Sequence, residues 1–208
     1  TPAPNFYGVA SFEYTVADGQ GGGNVGLVTV TINPINDTPV AVDDSFNGSE
    51  DQAITGSLAS NDLDPDGPGY TAQLELGPAH GSLTLNADGN FTYTPDPDWN
   101  GTDSFTYKAN DGALDSGVAT VILTINSVND LPVASTQTLT TNEDVAAAGT
   151  VQATDVDGDS LTYQVDAGPS HGTLVLNPDG IFSYTPDANF YGADIFSFVA
   201  NDGSADSD

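Results

Sequence analysis

The chain has no cysteine and no methionine, and one basic residue, Lys108, stands against 30 acidic ones in 208. Without cysteine no disulfide can staple the fold, so a chain of this size must be held by its core or by bound metal. Zinc is a poor fit on the same grounds, since two histidines are all the nitrogen ligands there are. A net charge of −29 with one cation leaves nothing to neutralise phosphates, which excludes nucleic acid and anionic membrane surfaces as partners. No run of 18 apolar residues occurs, so direct membrane insertion through a helix is not expected. No segment shows a helical period.

What is present is aspartate. Of the 30 acids, 26 are Asp and four are Glu (Glu13, Glu50, Glu75, Glu143). Acidity for solubility alone recruits both types. Asp dominates where carboxylates sit on turns, because its short side chain bonds nearby backbone. Turn carboxylates are also what a hard cation such as calcium requires. So much like charge works against compactness, and a divalent cation relieves it.

The chain repeats. Asn5-Phe6-Tyr7-Gly8 recurs as Asp98-Trp99-Asn100-Gly101 and as Asn189-Phe190-Tyr191-Gly192. Asn36-Asp37-Thr38-Pro39-Val40-Ala41 recurs as Asn129-Asp130-Leu131-Pro132-Val133-Ala134, Glu50-Asp51 as Glu143-Asp144, and Pro78-Ala79-His80-Gly81 as Pro169-Ser170-His171-Gly172. The period is that of a whole sandwich domain rather than a solenoid unit. It drops by two residues between the early and late motifs, which places a small insertion near Pro65 to Thr71. The expected organisation is the tail of one repeat at 1–37, a full repeat at 38–130, and a third at 131–208 that ends before its last strand. The chain is thus expected to be an internal stretch of a longer array, with stiff Asn-Asp-X-Pro linkers.

Alternation gives the strands. Phe105, Tyr107 and Ala109 share one face, as do Val121, Leu123 and Ile125, and the pairs Leu83/Leu85, Phe91/Tyr93, Leu174/Leu176 and Phe182/Tyr184 repeat the pattern. Asn86-Ala87-Asp88-Gly89 and Asn177-Pro178-Asp179-Gly180 read as hairpin turns. The fold class is all-β, a tandem of antiparallel β-sandwich domains.

For chemistry, Asp62-Leu63-Asp64-Pro65-Asp66-Gly67 has the opening rhythm of an EF-hand loop, but the twelfth position is Gln73 and the flanks are strands. Asp155-Val156-Asp157-Gly158-Asp159 shares only Asp-X-Asp with it. His80 and His171 recur at a strand start and read as structural. Trp99 invites a carbohydrate-stacking role, yet its equivalents Phe6 and Phe190 make it a packing position. No nucleophile elbow or repeated Ser-His-Asp set occurs, so no enzymatic role is expected.

Taken together, Ala153-Thr154-Asp155-Val156-Asp157-Gly158, the Asn-Asp-X-Pro linkers, Glu50 and Glu143 after a first strand, and Ala109-Asn110-Asp111-Gly112 with Ala200-Asn201-Asp202-Gly203 resemble cadherin repeats. The phrasing is most similar to the cadherin-like tandem repeats of large bacterial surface adhesins of the RTX type, exported by type I secretion. That resemblance implies calcium at the junctions between successive domains. One junction would draw on Glu50, Asn129, Asp130, Asp155, Asp157 and Asp202; the one before it on Asn36, Asp37, Asp62, Asp64 and Asp111; Glu143 would serve a further one. It also implies an extracellular, secreted or surface-attached extender supporting cell adhesion or biofilm formation. Its partners would be neighbouring repeats of the same chain and, in a carbohydrate-binding alternative, polysaccharide or another cell surface. Head-to-tail completion of the last repeat by the first 37 residues of another copy is a third possibility.

Overall fold

The computed structural model describes residues 1–67 and 69–207, and every regular element among them is a strand. The chain divides into two compact units, Thr1–Ser127 and Val128–Asp208.

The first unit opens with an antiparallel hairpin of β1 (Gly8–Ala17) and β2 (Gly23–Ile32), in register from Gly8↔Ile32 to Ala17↔Gly23. Most of its apolar residues, Phe12, Tyr14, Val16 and Val30 among them, are exposed. A sandwich follows. One sheet takes the order β3 (Asp44–Ser49), β9 (Ala119–Asn126), β8 (Gly101–Asn110), β5 (Thr71–Leu76). The other is β4 (Ile54–Ser57), β7 (Asn90–Pro95), β6 (Gly81–Leu85). The alternating faces meet as the sequence predicts: Phe105, Tyr107, Ala109, Val121, Leu123 and Ile125 from the first sheet and Ile54, Phe91 and Tyr93 from the second are buried. Phe91 presents edges to Phe46 and Phe105, with centroids 4.8 and 5.4 Å away, a favoured aromatic geometry.

One pairing departs from the antiparallel pattern. β3 and β9 run parallel, from Asp44↔Val121 to Ser49↔Asn126. Because β3 leads into β4 of the opposite sheet, the return to β9 is a long crossover rather than a hairpin, and the two strands arrive side by side heading the same way.

The second unit holds β10 (Val133–Ala134) with β12 (Ala153–Thr154), β11 (Ala147–Thr150) with β15 (Ile181–Pro186) and β14 (Gly172–Leu176), and β13 (Thr162–Ala167) with β16 (Ser197–Asn201). Val151, Phe182, Ala200 and Pro132 are among its buried apolar residues. Both expected hairpin turns form: Gly89 (φ 82°) and Gly180 (φ 84°) supply the left-handed residue, and the Asn86 and Asn177 amides close the loops at 2.9 Å.

A repeated polar latch explains the Pro-X-His-Gly phrase. Asp103 accepts the amides of Ala79 (3.0 Å), His80 (2.8 Å) and Ser104 (2.8 Å), and the Tyr93 hydroxyl donates to it at 3.0 Å. Asp194 repeats this with Ser170, His171 and Ile195 amides and the Tyr184 hydroxyl at 2.9, 2.9, 3.1 and 2.9 Å. Gly81 and Gly172 close the phrase because a Cβ there would come within 2.8 Å of the tyrosine ring and a strand carbonyl. The imidazoles stack: His80 on Trp99 and His171 on Phe190, each 4.4 Å between centroids with the ring planes nearly parallel. Trp99 leans on the core and a Cβ at Gly101 would sit 3.3 Å from it, so this ring is a packing element. Asp98 and Asn189, which precede the aromatics, have φ 54° and 58°. Their amides donate to Asp51 (3.3 Å) and Asp144 (2.8 Å), which gives the Asp of each Glu-Asp pair a structural task.

Backbone pairing corrects the place of the insertion. Leu58 N donates to Gly89 O as Val151 N donates to Gly180 O, so 58 corresponds to 151. Val40 bridges Leu63 as Val133 pairs with Thr154, so 63 corresponds to 154. The two extra residues therefore lie between Leu58 and Leu63, and not near Pro65 to Thr71. Motif spacing alone misplaces them because Asp-X-Asp occurs at both 62–64 and 64–66.

Candidate metal centre

In each unit a linker Asn-Asp pair is fastened to two loops of the sandwich that follows it. In the first, Asn36 Nδ2 donates to Asp111 Oδ2 at 2.8 Å, and the Asp37 amide donates to an oxygen of Asp66. In the second, Asn129 Nδ2 donates to Asp202 Oδ2 and the Asp130 amide to Asp157 Oδ2, both at 2.8 Å. Asp111 and Asp202 are in turn set by their own turns. Asp111 Oδ1 accepts the amides of Ala113 and Leu114 at 2.7 and 2.8 Å, and Asp202 Oδ1 those of Ser204 and Ala205 at 2.6 Å. The Leu114 and Ala113 amides and the Asn36 side chain hold the Asp111 carboxyl below its ordinary pKa, and the Ala205 amide, Asn129 and the Ser204 amide do the same for Asp202.

The matching bonds also correct the register of the acidic loops. Asp66 plays toward Asp37 the part Asp157 plays toward Asp130, so Asp64-Pro65-Asp66-Gly67 corresponds to Asp155-Val156-Asp157-Gly158. The glycine does not move between copies. Asp66, which the sequence reading left out, belongs with Asp64; its signal was the second Asp-X-Asp step. Asp62, which that reading included, has Ala153 as its counterpart. Its Oδ1 accepts the Val42 amide at 2.8 Å, and the Tyr107 hydroxyl lies 3.0 Å from each of its oxygens.

In the second unit, Asp155, Asp157 and Asp159 each offer an oxygen within 4.8 Å of the others. The Asp159 amide donates to Asp155 Oδ1 at 3.2 Å, while Asp155 Oδ2 is buried and has no hydrogen-bond donor. An orphaned carboxylate oxygen among two other carboxylates, with no sulfur or imidazole near, is a donor set for a hard cation. In the first unit the Asp64 oxygen accepts the Asp66 amide at 3.0 Å.

Glu50 is buried just after β3, with its amide on Asn126 O (3.0 Å) and Asn100 Nδ2 3.4 Å from its Oε2. Asp44, beside Asp62, opens the same strand about 20 Å away by strand rise. Glu143 is exposed ahead of β11.

Residues 36–127 match the bacterial cadherin-like domain, and residues 1–31 and 129–208 match the bacterial Ig domain. The chain is similar to integrin beta-like protein E of Dictyostelium discoideum, at 25% identity over 97% of this chain and 12% of that protein. It is also similar to the calcium-binding lectin RapA2 of Rhizobium johnstonii, at 30% identity over 53% of this chain and 57% of the lectin. It thus spans a small part of the first relative and just over half of the second. Among solved structures, human CDH23 EC21-23 aligns with TM-score 0.60 at 20% identity, covering 95% of this chain and 72% of that one. Protocadherin gamma B2 extracellular cadherin domains 1-5 align with TM-score 0.56 at 15% identity, covering 98% and 43%. At these identities the likeness is one of fold. With the bacterial Ig domain matching more than half of its length, the chain belongs to that family and carries a bacterial cadherin-like domain between the matched segments.

Proposed function

We propose that this chain is part of a non-catalytic, extracellular adhesin array, built of three consecutive repeats (1–37, 38–130 and 131–208), whose linkers are stiffened by calcium. One observation carries the reading: both linkers are tied by the same bonds to the same pair of carboxylate loops, and in the second unit one buried carboxylate oxygen has no donor. Asn36, Asp37, Asp64, Asp66 and Asp111 would hold the ion of the first set, and Asn129, Asp130, Asp155, Asp157 and Asp202 that of the second. Glu50 and Glu143 would be further carboxylate ligands. Calcium takes about six to eight oxygens and supplies the positive charge that these loops lack. An ion shared by a linker and a loop removes the linker's freedom to swing, which suits a spacer that carries a distal module in cell adhesion or biofilm. The family match and the calcium-binding lectin relative support the assignment.

A carbohydrate-binding role is the second reading, favoured by the lectin relative and by Tyr191, which is 85% exposed; Trp99 is half-buried, packed against the core and stacked on His80, and does not contribute to it.

Small-angle scattering and thermal unfolding, with millimolar calcium and then chelator, test the proposal. Calcium is expected to stiffen the chain and raise its unfolding temperature, and Asp155→Ala with Asp157→Ala to remove the second unit's share while leaving its sandwich folded. Curves that do not change with calcium would turn the acidic loops into solvated turns and leave the carbohydrate reading.

A further inference from the structure

The two acidic loops are supported differently. In the first unit the two-residue insertion carries Asp62 inward to Tyr107, which is fully buried on β8. The phenol oxygen lies 3.0 Å from each Asp62 oxygen, 3.2 Å from Val42 O and 3.3 Å from Asp44 Oδ2. Burial, then the Asp62 bond and charge, push the Tyr107 pKa well up, so its proton stays in place to be donated. From Asp62 the chain passes directly to Leu63, bridged to Val40 at 2.7 and 3.0 Å, then to Asp64 and to Asp66, which takes the Asp37 amide. A continuous path therefore runs from a core tyrosine through Asp62 to the linker. In the second unit the residue paired at the position of Tyr107 is Phe198, which has no hydroxyl, and Ala153 stands for Asp62.

We infer that Tyr107 is a positioning residue for the cation loop of the first unit, acting through Asp62; this rests on the calcium reading above. Asp62 is a peg rather than a ligand. Its oxygens are engaged by the Val42 amide and the Tyr107 hydroxyl, and what it holds is the conformation in which Asp64 and Asp66 face the linker. A loop ordered in advance loses less freedom when an ion binds; in the first unit the Tyr107–Asp62 contact supplies that order, where in the second the Tyr163 hydroxyl accepts the Ala153 amide at 3.3 Å and no carboxylate takes part.

Calorimetric titration of the 208-residue chain with calcium chloride tests this, in an Asp157→Asn background that silences the second loop. Tyr107→Phe is expected to weaken the remaining site by about five- to tenfold, the scale of one ordinary lost hydrogen bond. Asp62→Ala should do the same and does not touch the core, so it carries the test if Tyr107→Phe fails to fold. Asp62→Asn, which keeps an oxygen for both donors, should restore affinity to within about twofold. In a chain with the second loop intact, Tyr107→Phe should leave that loop's affinity unchanged. Affinity that is unchanged in both Tyr107→Phe and Asp62→Ala overturns the inference while the calcium site stands. Tighter binding overturns it too, and would make Asp62 a restrained ligand. If Asp66→Asn in the same background titrates like its parent, the calcium reading itself has failed and takes this inference with it.

Discussion

Residues 38–127 and 131–208 share their motifs, yet the same side chains end in different surroundings. Phe105 and Tyr107 are fully buried on β8, whereas Phe196 and Phe198 keep part of their surface in water. The reason is pairing: β8 has β9 on one side and β5 on the other, while β16 pairs with β13 alone among the described residues. The polar latches do not follow this difference. Asp103 and Asp194 hold the same tyrosine, the same two amides of the Pro-X-His-Gly turn and the same following amide, with distances that agree within about 0.3 Å. Local hydrogen-bond geometry is thus written into each repeat, and the core depends on which strands arrive to cover it.

The comparison can be sharpened first by emptying the core. Phe105→Ala should cost about 3–5 kcal/mol in urea unfolding, the range for a fully buried aromatic, and Phe196→Ala clearly less. Equal losses would mean that the half-covered face is as well packed as the closed one. Next comes the latch, where the two repeats should behave alike. Burial pushes the Asp103 carboxyl up, but the Ala79, His80 and Ser104 amides and the Tyr93 hydroxyl outweigh it, and its pKa lies below the ordinary value. Asp194 is shifted the same way by the corresponding groups. Their stabilisation is fully present above the unfolded value of about 4 and is lost as pH falls through the lower folded one. Asp103→Asn should therefore cost about 2 kcal/mol at neutral pH, a penalty that shrinks in acid; Asp194→Asn should show the same pH trend. A penalty that stays constant down to pH 2 would break the equivalence. The smallest effect is a gain. Burial, then the charge of Asp62, raise the Asp44 pKa, so its charged form is the costly one above the folded pKa, and the cost disappears below the unfolded value. Asp44→Asn should stabilise the first unit at pH 7 by a few tenths of a kcal/mol, allowing for solvent screening, and by nothing at pH 3. Its counterpart Gln137 already lacks the charge.

Strand faces and turns were legible because period two and Asn-X-Asp-Gly report local geometry, and Phe91/Tyr93 and Gly89 are placed as that pattern requires. The register of the acidic loop was not. Asp62, Asp64 and Asp66 present two overlapping Asp-X-Asp steps, and only the Val40–Leu63 bridge, between residues far apart in sequence, chooses the second. Asp103 stands two residues after the repeated Asp98-Trp99-Asn100-Gly101 phrase, but its partners at Ala79 and His80 come from another strand boundary, so its task could not be read from its neighbours. Pairing of β3 with β9 was equally hidden, since alternation looks the same in parallel and antiparallel strands.

That parallel ladder has a mechanical consequence. β3 begins the sandwich and β9 ends it, and they lie side by side pointing the same way. Tension drawn through the chain pulls the start of β3 and the end of β9 apart along their common axis, so the rungs from Asp44↔Val121 to Ser49↔Asn126 are loaded in shear and must yield together. A hairpin pulled from its open end would release them one at a time.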